Sequence, residues 1–209
     1  MPQNPALAQS DYQVRLEWGA DGLARLAPAH VVVVVQTLGL TAHAIEACEN
    51  GARLDVSVDE DPSAALVRAA SAAGAHVVVG GLRNAAAVAA HVLDVQRSRG
   101  ERTSISVIAA GHHDDGDAAA PRFAVDDLLG AGAVVAALGD LGIDHASPDA
   151  AVAGEGYRAL AGAVRHLLTA SGTGRMLADE GAREAVLAAA ARDAASVVPV
   201  LEDGALRAV

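Results

Sequence analysis

Two groups of residues in this chain could do chemistry, and both lie in the stretch AAGHHDDGDAAAPRFAVDDLLGAG (109–132). His112, His113, Asp114, Asp115 and Asp117 place imidazoles and carboxylates directly after an apolar run. Asp126 and Asp127 stand side by side where the next apolar run begins. Carboxylates so placed can hold Mg²⁺ or act as a general base, and an imidazole can ligate a transition metal or move a proton. The spacing across 112–117 matches no rigid ligand pattern, so an acidic surface loop is the plain reading of His113 to Asp117. His112, nearest the apolar run, is the member expected to face a pocket. For Asp126 and Asp127 the competing reading is electrostatic, since acids in a helix's first turn gain a few tenths to about 1 kcal/mol from the macrodipole. Spacing alone leaves these two readings open.

Two glycine-containing turns add candidates. Gly80-Gly81-Leu82-Arg83-Asn84 joins an apolar run to a helical pattern. Its glycines permit close backbone approach, and Arg83 could clamp a carboxylate, phosphate or sulfonate. The plainer reading is Asn84 as a helix N-cap with Arg83 in solvent. Ser171-Gly172-Thr173-Gly174-Arg175 is either an anion nest or a turn between helices. No phosphate-loop pattern GxxxxGK[ST] occurs, so no nucleotide cofactor is expected, and no nucleophile elbow GxSxG is present. His43, His76 and His91 lie in apolar patterns and read as satisfied core or interface histidines.

These residues must be positioned by alternating strands and helices. Strands are expected at 12–18, 30–36, 54–58, 76–80, 104–110, 197–201 and 205–209, the last as an edge strand after the Asp203-Gly204 turn. Helices are expected at 20–26, 41–50, 61–73, 84–98, 125–138, 148–169, 175–179 and 183–191. Five consecutive valines, Val31 to Val35, are apolar on both faces of a strand and demand cover on both sides. The pattern predicts an α/β protein, a three-layer α/β/α sandwich with a mostly parallel but mixed sheet, as one domain over 1–209 with a flexible lead-in at 1–11. In such sheets ligands bind beyond the carboxyl ends of strands, so the loops after Gln36, Gly80 and Ala110 are the ones to watch.

Composition excludes several classes. The 209 residues carry a net charge of −11 with scattered arginines, which disfavours nucleic acid and anionic membrane surfaces as partners. A small anionic metabolite remains open, held by a local arginine or a helix N-terminus. No apolar run is long enough to span a bilayer, and the N-terminus lacks a signal-peptide pattern. The one cysteine, Cys48, reads as buried packing and can form no intramolecular disulfide, which suits a cytoplasmic location. Sheet edges and apolar helices in such a chain are expected to find cover in a homo-oligomer.

Several segments, in order, resemble the 2-phosphosulfolactate phosphatases. They are YQVRLEWGADGLARLAPAHVVVVV (12–35), GGLRNAAAVA (80–89), VIAAG (107–111) with PRFAVDDLLGAGAVVAAL (121–138), SPDA (147–150), GRMLADEG (174–181) and VVPVLEDG (197–204). The resemblance implies Mg²⁺-dependent hydrolysis of a phosphate monoester on a small organic acid. It puts Arg83 and Asn84 along the cleft and gives Asp126 and Asp127 to metal or water activation. Gln36 and Thr41 would contact substrate, and His112 would act as acid or base. The chain also departs from the family. Gln36 stands where the family has an aspartate, His112 where it has a glutamate, and two family loops between the third strand and the Gly-x-x-Arg-Asn turn have no counterpart. Those departures open two alternatives. One is metal-independent acid/base chemistry, such as isomerisation or cyclisation in bacterial specialised metabolism. The other is a non-catalytic ligand-binding homologue.

Overall fold

The computed structural model describes residues 6–57, 61–113 and 121–209. Among them, seven strands form one sheet: β1 (Val14–Trp18), β2 (Val31–Val35), β3 (Leu54–Asp55), β4 (His76–Val79), β5 (Ile105–Ala109), β6 (Pro199–Glu202) and β7 (Ala205–Ala208), in the order β1-β5-β2-β4-β6-β7-β3. The β1–β5, β5–β2 and β2–β4 pairings are parallel, and those of β6, β7 and β3 are antiparallel. The sheet is therefore mixed around a parallel centre, as its alternation with helices requires.

The helices are α1 (Gly19–Arg25), α2 (Leu40–Glu49), α3 (Pro62–Ala72), α4 (Ala85–Arg99), α5 (Val125–Asp140), α6 (Pro148–Leu160), α7 (Val164–Ala170), α8 (Gly172–Asp179) and α9 (Arg183–Ala189). Side chains alternate across a strand, so the valine run serves two cores. Val31, Val33 and Val35 pack with residues of α4, α5, α6, α7 and α9. Val32 and Val34 pack with residues of α1, α2 and α3. This is the three-layer α/β/α arrangement. Both cores are aliphatic, and α5, with most of its residues buried, is the central helix of its layer.

Three expectations are corrected. The third strand is two residues long, because Ser57 turns the chain back onto Asp55 Oδ1 through its backbone N–H at 2.8 Å; residue 58 lies outside the described segments. The helix expected at 148–169 is interrupted by a 3₁₀ turn, Ala161–Ala163, which contains Gly162, a poor helix former. The final strand is not at an edge. β3, brought back from far earlier in the chain, pairs with β7 and covers it, a long-range contact with no local sequence signal.

Candidate active site

The carboxyl ends of β2, β4 and β5 meet the N-terminus of α5. Asp126 and Asp127 occupy that helix's first turn and are 3% and 1% exposed, so both carboxyls are buried at a place where water usually reaches acids. Helical residues one apart point about 100° from each other, and the pair divides its work accordingly.

Asp127 turns towards the sheet. Its Oδ1 accepts the Thr37 N–H at 2.7 Å and its Oδ2 accepts the Gly111 N–H at 2.9 Å. One carboxyl thus joins the loop after β2 to the loop after β5. Thr37 completes the joint by donating its hydroxyl to the Asp126 carbonyl at 2.8 Å. Gly130 permits the approach: a Cβ there would lie 2.3 Å from Thr37 Oγ1 and 2.8 Å from Val35 Cγ1. Burial, and next the charge of Asp126, push the Asp127 carboxyl up to about 8 against the pull of its two amide donors.

Asp126 turns the other way, into a cavity of about 170 Å³ whose lining includes His112, Arg122, Phe123, Thr173 and Met176. Burial raises its pKa. Its own backbone N–H, the Thr173 hydroxyl, the His112 charge and the Ser171 hydroxyl act in the opposite sense. His112 and Arg122 are adjacent because their backbones form an antiparallel bridge, His112 N–H to Arg122 O at 2.9 Å and Arg122 N–H to His112 O at 2.8 Å. That bridge brings an imidazole from the end of β5 and a guanidinium from the approach to α5 to one cavity wall. The first turn of α8, where Ser171 accepts the Gly174 N–H at 2.9 Å, also lines the cavity through Gly172 and Thr173.

The other sequence candidates sit at the same end of the sheet but outside this cavity's lining. Gln36 Oε1 accepts the Leu40 N–H at 2.7 Å and the Ser63 hydroxyl at 2.9 Å, tying the start of α2 to α3. Thr41 Oγ1 accepts the Gln36 N–H at 2.9 Å and donates to the Gly80 carbonyl at 3.3 Å. Asn84, fully buried, accepts the Gly81 N–H at 3.0 Å and donates to the Val197 carbonyl at 3.1 Å, so it pins the β4–α4 turn to the segment before β6. Arg83 is turned away, paired with Glu49 at 3.0 Å. His113 is partly buried beside the bridge, and Asp114, Asp115 and Asp117 lie outside the described residues.

Sequence reasoning did not single out Arg122, Phe123, Thr37 or Met176. Arg122 and Phe123 had a faint signal, a cation and an aromatic immediately before a helix that opens with two acids. Thr37 had none. The sequence leaves Ser171–Arg175 open between an anion nest and an interhelical turn; it joins α7 to α8, and its Gly172 and Thr173 line the cavity.

Among the described residues, no three His, Cys, Asp or Glu side chains gather as a set that could hold a metal ion. With both Asp127 oxygens engaged by amides, Asp126 is the one carboxyl among the described residues that lines the cavity. These residues do not supply the ring of oxygen donors that Mg²⁺ requires. No helix among them is long and apolar enough to cross a membrane.

No curated protein matches the chain. A family model described as 2-phosphosulpholactate phosphatase matches residues 61–204, well over half of the sequence. The match begins after β2 and α2 and takes in the β4–α4 turn, both aspartates, His112, Arg122 and all of α8. A match of that extent, over the elements that build the cavity, makes this chain a member of the 2-phosphosulpholactate phosphatase family.

Proposed function

We propose that the chain cleaves the phosphate ester of a small organic molecule in the cavity between His112, Arg122, Asp126 and the first turn of α8. The observation that supports this reading best is the placement of Asp126, a buried carboxyl that feels the His112 imidazole and the Thr173 hydroxyl and lines a cavity shared with Arg122. A phosphoryl group entering there meets the Arg122 guanidinium and the amide end of α8, both suited to an anion. Burial raises the Asp126 pKa, which favours the protonated carboxyl that delivery of a proton to the departing ester oxygen requires. His112 takes a proton from the attacking water. The water oxygen bonds to phosphorus, the ester P–O bond breaks, and the alcohol leaves with the Asp126 proton. Transfer from His112 back to Asp126 through solvent resets the pair. In this reading Asp127, Gln36, Thr41 and Asn84 hold the loops in register, and Arg83 fastens α4 to α2.

The Mg²⁺ that the family resemblance implies has no matching donor set among the described residues, and no step is assigned to it. The same feature favours a second reading, metal-independent acid/base chemistry on a small anionic metabolite by the His112–Asp126 pair. Phosphate release from a panel of small phosphomonoesters, with and without added Mg²⁺, separates the two. Release above background that disappears in Asp126→Asn supports hydrolysis. Background release across the panel at saturating Mg²⁺ rules it out.

A further inference from the structure

The polar groups of the cavity face an apolar wall that phosphate hydrolysis does not itself require. Phe123 and Met176 line it yet are 60% and 50% exposed. Trp18 packs on Phe123, ring centroids 5.2 Å apart and planes inclined by 48°. Large apolar side chains left open at a cleft mouth forgo the gain of burial and mark a surface that takes a ligand. The charge inventory points the same way. Of the described residues that line the cavity, Arg122 alone carries a fixed positive charge. One guanidinium serves one anionic group well, whereas further anions would face apolar carbon. The volume, about 170 Å³, is close to the roughly 150 Å³ void that accepts a benzene ring.

Resting on the phosphoester reading, we propose that the organic part of the substrate is apolar. It is a single ring or an alkyl group of similar bulk, laid against Phe123 and Met176, with one anionic head at Arg122 and no second acidic group. Phe123 and Met176 are then specificity residues, and a polyanionic ester is a poor substrate.

Non-hydrolysable probes test the substrate class apart from the reaction. Phenylphosphonate, methylphosphonate and phosphonoacetate are titrated calorimetrically into the full chain. Phenylphosphonate binds about tenfold or more tighter than methylphosphonate, the gain of burying one ring. Phosphonoacetate binds no tighter than methylphosphonate. Emission from Trp18, the one tryptophan in the sequence, changes with the phenyl ligand. Phe123 is exposed, so Phe123→Ser leaves the core intact, as an unchanged thermal midpoint verifies; it cuts the phenyl advantage to about twofold or less while methylphosphonate binding stays the same. Tightest binding of phosphonoacetate, or a phenyl advantage that survives Phe123→Ser, overturns the proposal. Binding of none of the three overturns it together with the anion site itself. If the phenyl preference holds but no ester is cleaved, the ligand class stands and the hydrolase reading falls. If polyanionic esters are cleaved faster than aryl esters, the hydrolase reading stands and the ligand class falls.

Discussion

At the carboxyl ends of β2 and β5, two neighbouring aspartates are buried side by side. Towards the opposite end, at the first residue of β4, His76 meets His91 of α4 with their Nε2 atoms 2.8 Å apart and their rings 5.1 Å apart. Burial acts on both pairs against the charged form, raising the aspartates and lowering the histidines. The pairs settle this in different ways. The histidines pair with each other, one Nε2 donating and the other accepting. The aspartates point apart, one spent on backbone amides and the other turned into a cavity. A buried pair that closes on itself is scaffold, whereas one that leaves a member facing a cavity has chemistry to offer.

Asp127→Ala should break this comparison most severely. It strands two buried amides, those of Thr37 and Gly111, each worth about 1–3 kcal/mol, and the loss is read from urea unfolding. Asp127→Asn keeps one acceptor oxygen and loses less. Asp126→Asn should leave the fold standing and lower turnover about 100-fold or more, measured as phosphate release beside an unchanged circular dichroism spectrum. Should Asp126→Asn unfold the protein while Asp127→Ala leaves it stable, the division of labour is reversed. Gly130→Ala disturbs the same joint without touching a charge, driving a methyl onto Thr37 and Val35 at a cost of about 1–3 kcal/mol in unfolding free energy.

The pH profile of stability sharpens the comparison further. Both aspartates bind protons more tightly folded than unfolded, so stability falls as pH rises above their ordinary value near 3.8, and for Asp127 it does so up to about 8. The histidines bind protons less tightly folded, so stability falls as pH drops below 6.5. His91→Leu should flatten the acid-side fall and Asp127→Asn the rise towards low pH, both followed by urea midpoints across pH. An acid limb unchanged in His91→Leu means that the histidine pair is not its source.

Much of the fold was legible because its signals are local. The valine run, the glycine stops and the acid-first helix each state their element within a few residues. The site was legible in its place but not in its roles. Asp126 and Asp127 differ only by helical phase. The residues after them, LLGAGAVVAAL, are apolar on every side and give no face from which to read that phase. Arg122 reaches the cavity through a backbone bridge to His112, a pairing across a loop that neither residue type announces. The apolar patterns suggest His43, His76 and His91 as satisfied core or interface histidines; His76 and His91 pair through Nε2 in the partly buried space between β4 and α4, while His43 is exposed on α2.

The two margins of the sheet carry a consequence of their own. On one side the ladder runs out in the two-residue β3. On the other, β1 has its outer flank occupied by the 145–147 segment, where the Gln13 and Val14 N–H groups donate to the His145 carbonyl and the Ser147 N–H donates to the Val14 carbonyl. Neither margin offers a long row of open backbone groups on which a foreign strand could template itself. Ribbon-like growth from chain to chain is thereby discouraged at both ends, and self-association of the folded protein is left to its helical faces.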